Sequence, residues 1–79
     1  DMPMAADEIA AMIRAGIPDA EVEITDLAGD GDHYAARVTS PAFAGLTRIK
    51  QHQAVYAALG GRMGGVLHAL QLTTAVPKD

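Results

Sequence analysis

A chain of 79 residues with a formal charge of −4 and no cysteine sets narrow limits on what the protein can be. That length suffices for one small domain, residues 1–79, without a second core or a roomy substrate cleft. The acidic balance argues against gripping a phosphate backbone by bulk electrostatics, and the missing cysteines exclude a disulfide scaffold and a self-sufficient thiolate metal site.

The first element read from the chain is a helix over Asp1 to Ile17, in which Ile9, Met12, Ile13 and Ile17 recur at helical spacing. Pro3 suits its first turn, Asp7 and Glu8 favour its positive end, and Gly16 followed by Pro18 stops it. Glu21 to Thr25 then alternates with period two, as a half-buried strand does. Gly29-Asp30-Gly31-Asp32 is a turn signal leading to a second strand, His33 to Ser40. Tyr34, Ala36 and Val38 share one face of that strand, and Ala35, Arg37 and Thr39 the other. Strands so joined form an antiparallel hairpin.

Pro41 ends the second strand, and Phe43 with Gly45 belongs to a short connector. From Leu46 to about Met63 the pattern is helical again, with Ile49, His52, Tyr56, Leu59 and Met63 on one stripe. Gly60 and Gly61 interrupt it, each costing about 1 kcal/mol relative to alanine, so the helix either ends near Leu59 or has a soft tail. Gly64-Gly65 turns the chain into a third strand, Val66 to Thr74. The order αββαβ predicts a single α+β domain with a three-stranded mixed sheet, helices packed on one face, and a right-handed crossover making the second and third strands parallel. Its core rests on Ile9, Ile13, Ile24, Val38, Tyr56, Leu59, Leu70 and Leu72. With no run of 18 apolar residues and no basic-then-apolar leader, the expectation is a soluble cytoplasmic protein without membrane association.

Three histidines carry the chemistry worth weighing. His68 shares strand parity with Val66, Leu70 and Leu72; it reads either as a core-edge histidine bonded to a carbonyl or as a ligand near the start of the strand. His33 follows the acidic turn, as a solvated turn residue or an outward-aimed ligand, while His52 on the helix stripe reads as a packed residue. Any metal must use imidazole, carboxylate or a ligand brought by a partner. No His-x-x-x-His spacing presets a zinc site, and the Asp30–Asp32 loop lacks a calcium ligand series. Gly29-Asp30-Gly31 joins two strands and so is no phosphate cradle. With no Ser–His–Asp or Cys–His arrangement indicated, the chain reads as a non-enzyme. Arg48, Lys50, Gln51 and Gln53 read as the exposed side of the long helix.

Four stretches, in order, resemble the successive signatures of BolA-like proteins. They are Gly29-Asp30-Gly31-Asp32-His33-Tyr34, Ser40-Pro41-Ala42-Phe43-Ala44-Gly45, Gln51-His52-Gln53-Ala54-Val55-Tyr56-Ala57-Ala58-Leu59 and Val66-Leu67-His68-Ala69-Leu70. The acidic-glycine turn before His33 is similar to the short bacterial relatives rather than the longer morphogene-type members. The resemblance implies a class II KH-like fold. Gly61-Arg62-Met63-Gly64 fits the Gly-x-x-Gly clamp of nucleic-acid-binding KH domains, but it follows the long helix instead of joining two helices.

The resemblance also implies a partner, a monothiol glutaredoxin with its glutathione, and a 2Fe–2S cluster shared between the two proteins, with none held by the isolated chain. The glutaredoxin side supplies thiolates, and the BolA side supplies the last-strand histidine, His68 here. A second ligand comes from the loop between the first two strands, for which His33 is the histidine at hand; Asp30 or Asp32 is a poorer substitute, being a hard oxygen donor. Imidazole ligation reduces the cluster's negative charge and raises its potential, and it weakens as pH falls toward 6. The expected role is an adaptor in iron–sulfur cluster assembly, trafficking or iron sensing, a monomer or weak homodimer when alone.

The alternative is a DNA-binding transcriptional regulator using Arg48, Lys50 and Arg62, a role of some morphogene-type members. The acidic total and the glutamines flanking His52, where many relatives have arginines, count against it. A third reading is a module that binds apo-glutaredoxin through the sheet edge and last strand without metal.

Overall fold

The computed structural model describes residues 5–29, 33–60 and 70–78. Helix α1 (Ala6–Gly16) buries Ile9, Ala10 and Ile13, with Asp7 and Glu8 in its first turn and Arg14 in its last, each complementing the helix dipole. It begins later than the periodicity suggests: Ala5 is extended (φ −71, ψ 152), and its carbonyl accepts from the Glu8 and Ile9 N–H groups. Ile17 closes the helix through its N–H on the Ile13 carbonyl and is itself buried.

Strand β1 (Glu21–Asp26) pairs antiparallel with β2 (Tyr34–Thr39), Glu21 opposite Thr39 and Asp26 opposite Tyr34. The expected alternation holds. Tyr34, Ala36 and Val38 are buried, while Glu23 faces Arg37 across the outer side, a favourable opposite-charge pair. Strand β3 (Gln71–Ala75) lies parallel to β2, Ala35 opposite Gln71 and Thr39 opposite Ala75, giving the order β1-β2-β3. The predicted Val66 to Ala69 portion of this strand lies outside the described residues.

A 3-10 turn at Pro41–Phe43 follows β2, and helix α2 (Arg48–Ala58) connects it to β3. The core gathers Ile9, Ile13, Ile17, Tyr34, Val38, Phe43, Val55 and Leu59, so both helices cover the same face of the sheet. Ile24, Leu70 and Leu72 pack against this cluster only partly buried. Tyr56, expected inside, is 37% exposed and Ile49 is 71% exposed. Leu59 is buried as expected, but α2 is rotated from the predicted stripe so that Val55 is buried in place of Tyr56.

Its length is set by its caps. Thr47 Oγ1 accepts the Lys50 N–H (3.2 Å), which starts the helix two residues after Leu46. At the other end the Leu59 N–H reaches the Val55 and Tyr56 carbonyls, and Gly60 takes the left-handed conformation (φ +65) that commonly follows a helix. The helix thus ends just before Leu59 and does not run to Met63, which lies outside the described residues.

Two residues hold these pieces together through contacts that local sequence does not announce. A Cβ on Gly16 would sit 2.6 Å from Ala58 Cβ and 3.1 Å from its Cα, so Gly16 permits close approach of α1 and α2 and still belongs to the helix. Gly16→Ala gains at most about 1 kcal/mol of helix propensity. The overpacking it causes costs about 1–3 kcal/mol, because Ala58 offers no flexible side-chain end to move aside. Net destabilisation in urea unfolding is the expected result, relieved when Ala58→Gly is added; a stabilised Gly16→Ala would contradict the close approach.

Ser40 is fully buried. Its hydroxyl donates to the Pro18 carbonyl (2.6 Å) and accepts from the Ala42 N–H (3.0 Å), while its own N–H reaches the Ala75 carbonyl. One side chain thus joins the α1–β1 corner to the end of β2 and opens the 3-10 turn. Ser40→Ala strands both partners and is expected to cost about 1–3 kcal/mol, readable as a lowered urea midpoint at unchanged slope.

Candidate functional site

The end of the sheet where β2 begins is also where β3 begins, because the two strands are parallel. His33 stands at that end, immediately before β2, with its side chain exposed. Its backbone is fixed: the Leu27 N–H donates to the His33 carbonyl at 2.7 Å, continuing the β1–β2 ladder one step outward. Asp26 Oδ1 accepts the Gly29 N–H (3.0 Å), and Gly29 adopts φ +69, so the chain turns sharply as it leaves β1. The outcome is an imidazole presented outward from an anchored strand end. Leu27 beside it is 49% exposed.

Leu70, just ahead of β3, packs partly buried against the core at this same end. His68 precedes it by two positions and lies outside the described residues, as do Asp30, Asp32 and Arg62. The Gly61-Arg62-Met63-Gly64 motif lies there too. Among the described residues no group of three or more histidine or acidic side chains could hold a metal ion.

His52 is packed, as expected. Its ring meets Tyr56 edge-on, with centroids 6.4 Å apart and an interplanar angle of 70°. It is half-buried and, with Arg48, borders a groove of about 320 Å³ whose other wall is Leu72, Thr73 and Thr74 of β3.

Arg48, Lys50 and Gln53 are exposed on α2, in agreement with the sequence. Gln51 is not part of that solvated face. Its amide nitrogen donates to the Leu46 carbonyl (3.0 Å) and more weakly to the Phe43 carbonyl (3.5 Å), while its oxygen accepts the Thr74 hydroxyl at 2.6 Å. Gln51 therefore fastens α2 and the preceding connector to β3. Nothing in the local pattern distinguishes such a glutamine from a solvated one, since Thr74 is 23 residues away.

Among the described residues these features define an α+β module with two α-helices and a mixed sheet that they cover on one face. The chain belongs to the BolA-like family: the model of BolA-like proteins matches residues 17–79. It is 36% identical over 73 residues to the uncharacterized protein RP812 of Rickettsia prowazekii, covering 92% of this chain and 95% of the relative. The NMR structure of that protein, described as BolA-like, superimposes with a TM-score of 0.75 over 96% of this chain and 99% of the other. A BolA homologue from Coxiella burnetii gives 0.72 at 35% identity, covering 94% and 92% of the two chains. The BolA domain of SufE1 from Arabidopsis thaliana gives 0.75 at 28% identity over 94% and 95%. No helix among the described residues is long and apolar enough to cross a membrane.

Proposed function

We propose that this chain is an adaptor that pairs with a monothiol glutaredoxin and shares a 2Fe–2S cluster with it, His68 and His33 being its iron ligands. Family membership supports the reading, together with one structural observation: an exposed His33 held at the end of the sheet where β3 starts. Chain connectivity bears on His68, which precedes Leu70 by two positions in the sequence.

The donor chemistry is compatible. The chain has no thiolate of its own, so a cluster bound through its histidines needs cysteine sulfur from a second protein. When bound, imidazole in place of thiolate lowers the negative charge on one iron and raises the reduction potential. In this reading the chain supplies two imidazole donors, His33 immediately before β2 and His68 two residues ahead of Leu70 in the chain.

The test is direct mixing. Adding the full chain to cluster-loaded monothiol glutaredoxin should convert the visible circular dichroism of the glutaredoxin homodimer into a different, saturable spectrum at one chain per partner. A spectrum that stays that of the glutaredoxin alone removes the proposal.

A further inference from the structure

Charge is segregated along this chain. No aspartate or glutamate occurs between positions 33 and 78, a stretch that holds Arg37, Arg48, Lys50, Arg62 and Lys78 in an otherwise acidic protein. The first turn of α2 has no acidic residue and carries Arg48 and Lys50, although cations at a helix N-terminus cost about 0.3–1 kcal/mol each. Neither side chain is ion-paired among the described residues. Folding alone does not account for their placement.

Beside these cations α2 presents apolar surface. Ile49 (71% exposed) and Tyr56 (37% exposed) stand seven residues apart, with His52 between them on the same flank and its ring against Tyr56. Next to that flank, Arg48 and His52 line a groove with Leu72, Thr73 and Thr74 of β3. Among the described residues β3 pairs with β2 alone and forms the last strand of the sheet. An open strand edge offers a row of N–H and C=O groups that another extended segment can satisfy.

We propose that the groove between α2 and the outer edge of β3 receives an extended acidic segment of a partner protein, added to the sheet as a fourth strand. Its carboxylates meet Arg48, with Lys50 adding long-range attraction, and its aliphatic side chains cover Ile49 and Tyr56. Arginine and tyrosine beside an exposed aliphatic residue are the chemistry of protein-binding hot spots. A nucleic acid fits less well, since among the described residues two cations flank two apolar side chains and Gln51 is turned inward. Thr73 and Thr74 lie past the start of β3, whereas the ligand histidines concern its beginning, so this surface stands or falls independently of cluster sharing.

The probe is a capped hexapeptide, Glu-Val-Asp-Ile-Glu-Val, titrated at low salt into the ¹⁵N-labelled full chain, with a lysine-for-acid version as control. Amide shifts should concentrate at residues 48–56 and 71–75, with no response to the lysine peptide. Arg48→Glu should weaken binding about tenfold or more, and Ile49→Ser about threefold or more. Both positions are exposed, so the variants should keep the wild-type unfolding midpoint. Shifts located elsewhere, no binding, affinity unchanged in both variants, or displacement of the peptide by an equal concentration of duplex DNA would each overturn the proposal.

Discussion

Replacing Phe43 by alanine is expected to cost about 3–5 kcal/mol, a larger loss than either Gly16→Ala or Ser40→Ala causes. A 79-residue domain has a total stability of about 4–12 kcal/mol at ~0.05–0.15 kcal/mol per residue, so this one change removes much or all of it. Phe43 is 1% exposed and the largest of the fully buried side chains. It enters the core from the 3-10 turn, in one cluster with Ile9 and Ile13 of α1, Tyr34 and Val38 of β2, Val55 of α2 and the capping residue Leu59. Many of the chain's apolar residues are alanines, which have no length with which to fill the space, so the cavity should persist and the cost fall high in the range. Urea unfolding reads the effect directly. Phe43→Leu, which keeps most of the volume, should cost clearly less, and a loss below about 1 kcal/mol for Phe43→Ala would show that the ring is not where the core is built.

The second large effect concerns the proposed ligands. His68→Ala is expected to abolish the new dichroism that the chain induces in cluster-loaded glutaredoxin, because removing a metal ligand leaves an iron without its fourth donor. His33→Ala should reduce the same signal less completely, since a nearby Asp30 or Asp32 carboxylate can substitute, though poorly. Affinity for the cluster-free partner should persist in both variants. That separates lost ligation from lost docking, and a retained far-UV spectrum separates it from unfolding. The pH dependence follows in sign: an imidazole binds iron through a lone pair that a proton also occupies, so the hetero-complex signal should decline as pH falls from 8 toward 6. A His68→Ala chain that still generates the full signal at pH 8 would assign the ligand elsewhere.

How far the sequence could be read differed from element to element. α1 was legible because its apolar residues fall on one stripe only, and β1 and β2 because alternation with period two leaves a single choice of face. The parallel placement of β3 followed from the connection through a helix. α2 defeated the same reasoning. Its apolar residues spread around the helix, so that Leu59 is compatible both with Ile49 and Tyr56 and with Val55, and periodicity cannot choose which of them is buried beside it. The choice is made at a distance, by the Gly16–Ala58 approach and by the Gln51–Thr74 hydrogen bond. Ser40 escaped the core prediction for a related reason: it is polar, and the Pro18 carbonyl that makes its burial tolerable lies 22 residues earlier. Of the candidate site, the outward presentation of His33 was legible from the turn before it. Its proximity to the start of β3 required the strand register.

The cluster-sharing role comes down to whether a nitrogen of this chain is bonded to iron. Pulsed electron paramagnetic resonance on the reduced hetero-complex answers this, using the chain labelled with ¹⁵N-histidine and an unlabelled glutaredoxin. The predicted result is a strong ¹⁵N hyperfine coupling that disappears with His68→Ala. A reduced cluster in the complex that shows no coupling to the labelled histidines would contradict the account.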